Sequence, residues 1–537
     1  MSKISSNDSG SVERPGIGAV HHGDSSYKWL VLTVVMVGTF MVILDSSIVN
    51  VALPTIMAAF GIPIDTAEWV LNGYLISFGA LLPASGWFAD RFGYKKIFGL
   101  SLVIFTLGSF LCVISWDEKA LIFFRVFQGI GGGMLMPTGM AAVLREFPYE
   151  KRGTALGFWA VAAAGSSSFG PIVGGYLVDR FDWSSIFLIN VPIGILGIFA
   201  AWAILKDYKA ERSHNFDWVG FGSMTTFIVT LLLALADGNA AWNTGGWTSP
   251  FILTNFVIAG LSLLVFLVTE LTSKHPMINL GLFKSFNYSM SNLVFFIFGL
   301  SAFGSNFLLP LYLQNSLGYT AFQAGLIYLP MGIIQGVLGP FAGILTDKTN
   351  PKIIAIIGIV LLASSWYLNG FLSLFSMHAQ IIFPIYLRGF GMALIFTPLS
   401  AIALTDIGKR DIAQASGMFN VIRQVGRSFG LAIIGTIFTE RTLYHTALDG
   451  QTMNQYSPAF QKVLSNLNYF SMRVLSGPPG IETQRANALI LSSVSQQATV
   501  QASDDAFLFA FAIMILCVVP VIFLRTNKRK KIVVAIQ

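Results

Sequence analysis

The chain is poor in charge. Only 11% of its 537 residues are Asp, Glu, Lys or Arg, against roughly 25% in an ordinary soluble domain. So few charges cannot cover a water-facing surface of this size, which excludes a soluble enzyme, a nucleic-acid binder and a disordered scaffold. Cysteine is scarcer still. Cys112 and Cys517 are the only two, and both fall inside apolar runs, so neither a disulfide framework nor a metal site is expected. None of the six histidines sits deep in an apolar run. No constellation of His, Cys or Ser with supporting acids is visible, so an enzyme is not expected and no cofactor is called for. A cleavable signal peptide is missing as well. Residues 1–28 are polar and Ser/Gly-rich, and the first apolar run is too long and lacks a small-residue cleavage site.

What is present in quantity is apolar: 54% of the chain is hydrophobic and 46 residues are Phe. Glycine, at 52 residues, exceeds its usual share of about 7%, as suits helices that pack closely in lipid. The reading is an all-α polytopic membrane protein. A span needs about 20 mainly apolar residues, and by that rule the sequence predicts fourteen, at roughly 29–54, 67–88, 97–115, 120–142, 153–177, 184–205, 217–236, 250–271, 288–313, 321–345, 352–373, 379–404, 411–437 and 505–525. The net charge of +7 does not point to nucleic acid, because the basic residues sit in short loops between apolar runs. With the N-terminus inside, most of the 33 lysines and arginines fall on that side, whereas the short outside loops hold only Lys119 and Arg180. This is the positive-inside pattern, and it places both termini in the cytoplasm. The segment 438–504 is the exception: long, polar and outside. Phe460–Leu467 and Ile481–Val494 within it have the pattern of amphipathic helices. It reads as an exposed loop or as a docking surface.

The sequence also repeats itself at an offset of about 260 residues. Leu53-Pro54 corresponds to Leu309-Pro310. Gly86-Trp-Phe-Ala-Asp90-Arg91 corresponds to Gly343-Ile-Leu-Thr-Asp347-Lys348. Arg125, with Pro137 beyond it, corresponds to Arg388 with Pro398, and Lys151-Arg152 to Lys409-Arg410. Four landmarks in one order describe two six-span halves, spans 1–6 and 9–14, with spans 7 and 8 inserted. Parallel repeats of this kind are a transporter architecture whose substrate site lies between the halves near mid-membrane.

With these motifs in hand, the chain resembles the major facilitator superfamily in its fourteen-span drug:proton antiporter branch. Gly86-Trp87-Phe88-Ala89-Asp90-Arg91-Phe92-Gly93-Tyr94-Lys95-Lys96 matches the superfamily's loop 2–3 signature. Leu44-Asp45-Ser46-Ser47-Ile48-Val49-Asn50-Val51-Ala52-Leu53-Pro54 resembles the branch's span 1 signature, and Gly165-Ser-Ser-Ser-Phe-Gly170-Pro171-Ile-Val-Gly174-Gly175 resembles its span 5 antiporter motif. The long outer segment before the last span is similar to that of EmrB-type exporters. The resemblance covers roughly residues 28–530 and implies the major facilitator fold in the bacterial inner membrane. It also implies proton-coupled multidrug efflux driven by the proton gradient, and partnership with a periplasmic adaptor protein and an outer-membrane channel. The domains are then a cytoplasmic N-terminal tail (1–28), an N-terminal six-helix half (29–206) and two inserted helices (207–286). A C-terminal half (287–526) follows, containing the periplasmic loop 438–504, and a basic cytoplasmic tail (527–537) ends the chain.

Physical reasoning assigns roles within that frame. Asp45 lies deep in span 1, where an acid costs several kcal/mol by insertion scales, so it is the candidate proton carrier. Otherwise it is a permanently paired structural acid. Arg125, six residues into span 4 from the same outer side, reaches the same depth at about 1.5 Å per residue and is its candidate partner. Gln128 is one turn further on the same face. Candidate cavity residues are Asn50, Tyr74, Gln128, Asn306, Tyr328, Arg388 and Arg423, with Asn72 and Gln335 as further polar contacts. Each single polar residue also suits plain helix packing. Arg427 stands where the branch more often has glycine. Four deep arginines against one deep acid argue against a pocket for organic cations and favour neutral or weakly acidic amphiphiles. For gating, Gly86, Asp90, Arg91, Gly93 and Lys95 form a turn that can latch one state, Gly93 by its backbone freedom and Asp90 by pairing at a helix end. Gly165, Gly170, Gly174 and Gly175 allow close helix approach, and Pro171 invites a bend. A lipid or fatty-acid translocase on the same scaffold is the alternative function.

Overall fold

A computed structural model describes residues 26–525 apart from 63, 149–150, 209–216, 239, 241, 274–278, 409–410, 453–455, 457 and 475–481. Nearly all of the N-terminal tail and the whole basic tail 527–537 lie outside the described residues. Among the described residues every regular element is helical. The first half contains α1 (Tyr27–Phe60), α2 (Ile64–Leu81), α3 (Ser85–Phe92), α4 (Tyr94–Val113), α5 (Glu118–Glu146), α6 (Arg152–Arg180), α7 (Ser185–Leu188) and α8 (Asn190–Ile204). Next come α9 (Trp218–Asp237) and α10 (Pro250–Thr272). The second half contains α11 (Phe286–Phe298), α12 (Leu308–Leu311), α13 (Ala321–Lys348), α14 (Pro351–Asn369), α15 (His378–Ala403), α16 (Ile412–Thr452), α17 (Pro458–Val474), α18 (Glu482–Leu516) and α19 (Val518–Phe523).

Helix ends follow from local sequence. Asp117 accepts from Ala120 N to open α5, and Ser249 caps α10 ahead of Pro250. Thr320 and Gln323 form a reciprocal capping box on α13. Gly61 closes α1 at φ +65°, a left-handed cap that favours glycine. Twelve helical segments among the described residues are long and apolar enough to cross a membrane. The two remaining expected spans are the helices α2 and α6. Both are packed inside the bundle, α2 against α5 and α9, α6 against α1 and α13. The inserted helices α9 and α10 pair with each other, and α9 touches α2 of one half and α16 of the other. Much of α10 is apolar and exposed, including Leu253, Val257, Leu261, Leu264, Val268 and Leu271, as a lipid-facing helix requires.

Two regions hold detail that hydropathy does not carry. Span 9 is not one straight helix: wide π turns at Gly299–Phe303 and Tyr312–Ser316 flank the short α12. Pro310 removes one helical hydrogen bond there, and π turns absorb such mismatches. The polar outer segment 438–504 is largely helical rather than an ordinary loop. Helix α16 runs on to Thr452, α17 covers Phe460–Leu467, and α18 begins at Glu482, so most of Ile481–Val494 is helix while Ile481 itself lies outside the described residues. Hydropathy marks where a membrane ends and says nothing of where a helix ends. Where they leave the expected spans, α16 and α18 are tied by Asp505, which accepts from His445 at 2.9 Å and pairs with Arg441 at 3.4 Å.

The halves meet most tightly where α6 crosses α13. Gly153 and Gly157 face Gly339 and Gly343, and a Cβ on Gly157 or Gly343 would overlap the opposing backbone. Nearby, Asp347 at the end of α13 accepts hydrogen bonds from Gly153 N (3.1 Å), Thr154 N (2.9 Å) and Thr154 Oγ1 (2.7 Å). A carboxylate from one half thus caps the first turn of a helix in the other, where the helix dipole favours negative charge. This closed end carries Lys151, Arg152, Lys348 and Lys352, the end to which the positive-inside pattern gives the cytoplasm.

Candidate functional site

Asp45 and Arg125 meet inside the first half. Arg125 NH1 donates to Asp45 Oδ2 at 2.6 Å, and neither side chain is exposed. The other carboxylate oxygen accepts from Gln128 Nε2 (2.9 Å) and from Asn190 Nδ2 (2.8 Å). Arg125 Nε donates to the Val70 carbonyl at 3.1 Å, and its NH1 also to Gln128 Oε1 at 2.6 Å. Ser109 Oγ accepts from both amides, at 2.6 Å from Gln128 and 3.2 Å from Asn190. The guanidinium lies 4.2 Å from the centre of the Tyr74 ring and 5.5 Å from that of Phe187. Local sequence makes this closeness possible. Gly108 has no side chain where a Cβ would fall 2.7 Å from Gln128 Cα, and the interruption at Ile189 lets Asn190 restart the helix beside Asp45. A buried pair of this kind costs about 3–5 kcal/mol to break by removing one partner.

A cavity of about 220 Å³ lies between the halves. Tyr74, Phe78 and Trp159 come from the first half, and Phe298, Phe303, Met331 and Phe396 from the second. Trp159 stacks on Phe396 across the divide, ring centres 5.6 Å apart, while its indole N–H donates to Thr39 Oγ1 at 2.9 Å. The charged residues lining it are Arg423 and Arg427; no Asp or Glu does so among the described residues. Arg423 donates to Asn420 Oδ1 at 2.9 Å and lies over Phe396, and Arg427 lies over Phe303. Tyr74 belongs to both places. It lines the cavity, and its ring carries Arg125.

The expected cavity residues divide. Tyr74, Asn306, Gln335 and Arg423 line the cavity, as does Arg427. Asn50 is exposed and donates to the Ser46 carbonyl of its own helix, so the structure removes it from the cavity. Gln128 is committed to the ion pair. Tyr328 and Arg388 stand behind the wall. The Tyr328 hydroxyl donates to the Asn306 carbonyl at 3.3 Å, and Arg388 is 1% exposed with its Nε directed to Ser365 Oγ at 3.4 Å. Asn190, Ser109 and Trp159 are site residues that sequence reasoning missed. An amide 145 residues from its partner carries no local signal beyond being polar in an apolar run.

The loop 2–3 motif forms α3 and the turn into α4. Gly86 is buried, Arg91 closes α3, and Asp90 Oδ1 accepts from Tyr94 OH at 2.9 Å. Gly93 sits at φ +103° hard against the Asp207 carboxylate, which excludes any side chain. The Lys95 ammonium lies 5.9 Å from the centre of a Trp202 ring. In α6, Gly170 packs on Ser47 and Gly174 on Ile48 of α1, within one half. Gly165 and Gly175 have open space where a Cβ would be, so the expected close approach is confined to the middle of the motif. Helix α6 runs unbroken through Pro171, whose side chain lies outside those described. The second half has its own version: Gly426 and Gly430 press on the carbonyls of Phe296 and Leu300.

The sequence matches the family model described as Major Facilitator Superfamily over residues 35–431. It is 31% identical to the multidrug export protein EmrB of Escherichia coli over 483 residues, 89% of this chain and 92% of that one. It is 28% identical to the fatty acid resistance protein FarB of Neisseria gonorrhoeae over 502 residues, 93% and 96% of the two chains. The crystal structure of the human organic anion transporter MFSD10 (TETRAN) superposes with a TM-score of 0.58 at 13% identity, covering 91% of this chain and 99% of that one. That likeness speaks to the fold, which is two six-helix halves around a central cavity. The chain belongs to the major facilitator superfamily, as an EmrB-like transporter.

Proposed function

We propose that this protein exports hydrophobic or amphiphilic compounds across the bacterial inner membrane by proton-coupled antiport, with both termini in the cytoplasm. The observation that carries the reading is a fully buried Asp45–Arg125 pair separated from an apolar inter-half cavity by one side chain, Tyr74. Protonating Asp45 cancels its charge and releases Arg125 to other partners, so proton binding and helix packing are linked through one bond. Substrate reaching Tyr74 acts on the same guanidinium from the cavity side. Each proton moved down a 100 mV potential supplies about 2.3 kcal/mol, enough to bias a two-state equilibrium by roughly fifty-fold. Rocking of the halves opens one end as the other closes, and the arrangement described here is shut at the Lys- and Arg-rich end. Asp347, the glycines of α6 and α13, and the Gly86–Lys95 turn are the parts that hold it.

Arg423 and Arg427, with no facing acid among the cavity-lining residues described, favour neutral or acidic amphiphiles over organic cations. Two relatives, a multidrug export protein and a fatty acid resistance protein, agree with that substrate range. The helical projection formed by α16, α17 and α18 is the surface on which a periplasmic adaptor, leading to an outer-membrane channel, would dock.

The test is proton flux in liposomes holding the purified protein under an imposed pH gradient, with acidic, neutral and cationic amphiphiles added to wild type and to Asp45→Asn. Substrate-driven proton movement in wild type that is lost in the variant supports the reading. Movement of labelled compound or lipid by wild type with no linked proton flux overturns it and leaves a translocase.

A further inference from the structure

The two halves treat their buried arginines differently. Arg125 corresponds to Arg388 in the repeat, but the offset that aligns Leu53-Pro54 with Leu309-Pro310 places Ser301 at the position of Asp45. The geometry follows the alignment. Asp45 reaches the sixth span of its half through Asn190, and Ser301 Oγ donates to the Ala510 carbonyl, in the sixth span of its own half, at 2.6 Å. The second half therefore keeps the cation and drops the carboxylate.

The contacts of Arg388 are neutral: Nε is directed to Ser365 Oγ, and the Tyr328 hydroxyl stands beside the guanidinium. Among the described residues neither of its terminal nitrogens has a hydrogen-bond partner of good geometry, the Tyr328 hydroxyl being the nearby neutral group. On the helix that faces it, α14, the Trp366 indole N–H and both atoms of the Asn369 amide are likewise buried without partners. Trp366 and Asn369 are three residues apart and Ser365 and Asn369 four, so all three share one helix face. The Arg388 guanidinium carbon lies 5.9 Å from the centre of a Trp366 ring. From α13, the Tyr328 hydroxyl stands against the guanidinium while giving its hydrogen to the Asn306 carbonyl. Neither the ion pair of Asp45 nor those of Asp505 involve Arg388. A guanidinium buried this completely is costly unless a negative charge accompanies it.

We propose that Arg388, Trp366 and Asn369 form a buried site for a small monovalent anion of the halide class, chloride being the abundant one, which stands in the second half for the carboxylate that Asp45 supplies in the first. The donors are N–H groups, the set a halide accepts from. The site is closed off from the cavity by Tyr328 and Asn306, which selects a small ion over the head of an amphiphile. Anion binding here is independent of the proton-coupling reading, since it involves neither Asp45 nor the cavity-lining arginines.

The experiment measures thermal unfolding of the purified protein over a range of sodium chloride from sub-millimolar to several hundred millimolar, with ionic strength held constant by sodium gluconate. Wild type should gain stability with chloride, the folded-to-unfolded ratio rising about tenfold for each tenfold increase above the dissociation constant. Bromide should substitute and gluconate should not. Arg388→Gln should abolish the dependence. Ser301→Asp should abolish it too, while matching or exceeding the stability of chloride-saturated wild type, because the carboxylate is now built in. This second variant keeps the test decisive if Arg388→Gln does not fold. A wild type insensitive to chloride, a chloride response that survives in Ser301→Asp, or stabilisation by organic carboxylates alone would each overturn the proposal.

Discussion

Asp347 offers the sharpest perturbation, because its three hydrogen bonds join opposite halves of the molecule. They exist only while the Lys- and Arg-rich end is closed. In Asp347→Ala the first turn of α6 loses its cap, worth about 0.5–2 kcal/mol, and a negative charge at its dipole, worth about 0.3–1 kcal/mol. Water takes over the freed N–H groups once the end opens, so the net loss to the closed state is about 2 kcal/mol. That shifts the open-to-closed ratio at this end about thirty-fold. The two native cysteines are buried, which allows a reporter thiol at Ala160, a cavity-lining position. In inside-out vesicles a membrane-impermeant thiol reagent should label Ala160→Cys many-fold faster in the Asp347→Ala background, while overall stability changes little. Asp347→Asn, which keeps one acceptor, should fall between. An unchanged labelling rate would refute the idea that this contact holds the closed state.

Other expectations follow from the same geometry. Gly157→Val places bulk where a Cβ already overlaps the Gly339 carbonyl; overpacking of about 1–3 kcal/mol should prevent closure, so the reporter thiol becomes accessible and transport stops although the protein still folds and melts cooperatively. Asn190→Ala removes one of the three donors to Asp45, and its melting temperature should fall by an amount equivalent to about 1–2 kcal/mol, with a shifted pH profile of transport as the sign that Asp45 has been touched. Arg423→Gln combined with Arg427→Gln should lower transport of acidic amphiphiles at least tenfold relative to cationic ones in competition assays; an unaltered ratio would remove these arginines from substrate selection.

Much of the architecture was legible in the sequence because lipid imposes a simple rule. A segment must be apolar for about 30 Å, and the repeat then ties the segments into halves. The pairing of Asp45 with Arg125 was legible for the same reason, since a deep acid needs a deep cation and few are available. Side-chain direction was not legible. Asn50 and Asp45 lie five residues apart on one helix, and only the structure tells which turns inward and which turns out. Arg388 and Arg423 look equally deep on a span map, yet one stands behind the cavity wall and the other lines it. The second copy of the span 5 motif is disguised in the sequence because Arg427 occupies the position of Pro171, although Gly426 and Gly430 keep their spacing. Span 9 was legible as a span, but its π turns were not, because hydropathy follows composition and not helix winding.

Helix α16 has a mechanical consequence. With 41 residues it is about 60 Å long, twice the hydrocarbon thickness of about 30 Å, and it begins at the closed end near the junction of the halves. It therefore behaves as a stiff lever with its fulcrum in the bilayer. A tilt of the second half by about 15°, a size seen in rigid-body rotations elsewhere, would swing the outer tip sideways by about 8 Å. The clamp of Asp505 on Arg441 and His445 makes α18 travel with it. Motion too small to notice around the cavity is thus magnified outside the membrane. A fluorophore near Tyr456, which is 84% exposed, would read the transport cycle like the needle of a gauge.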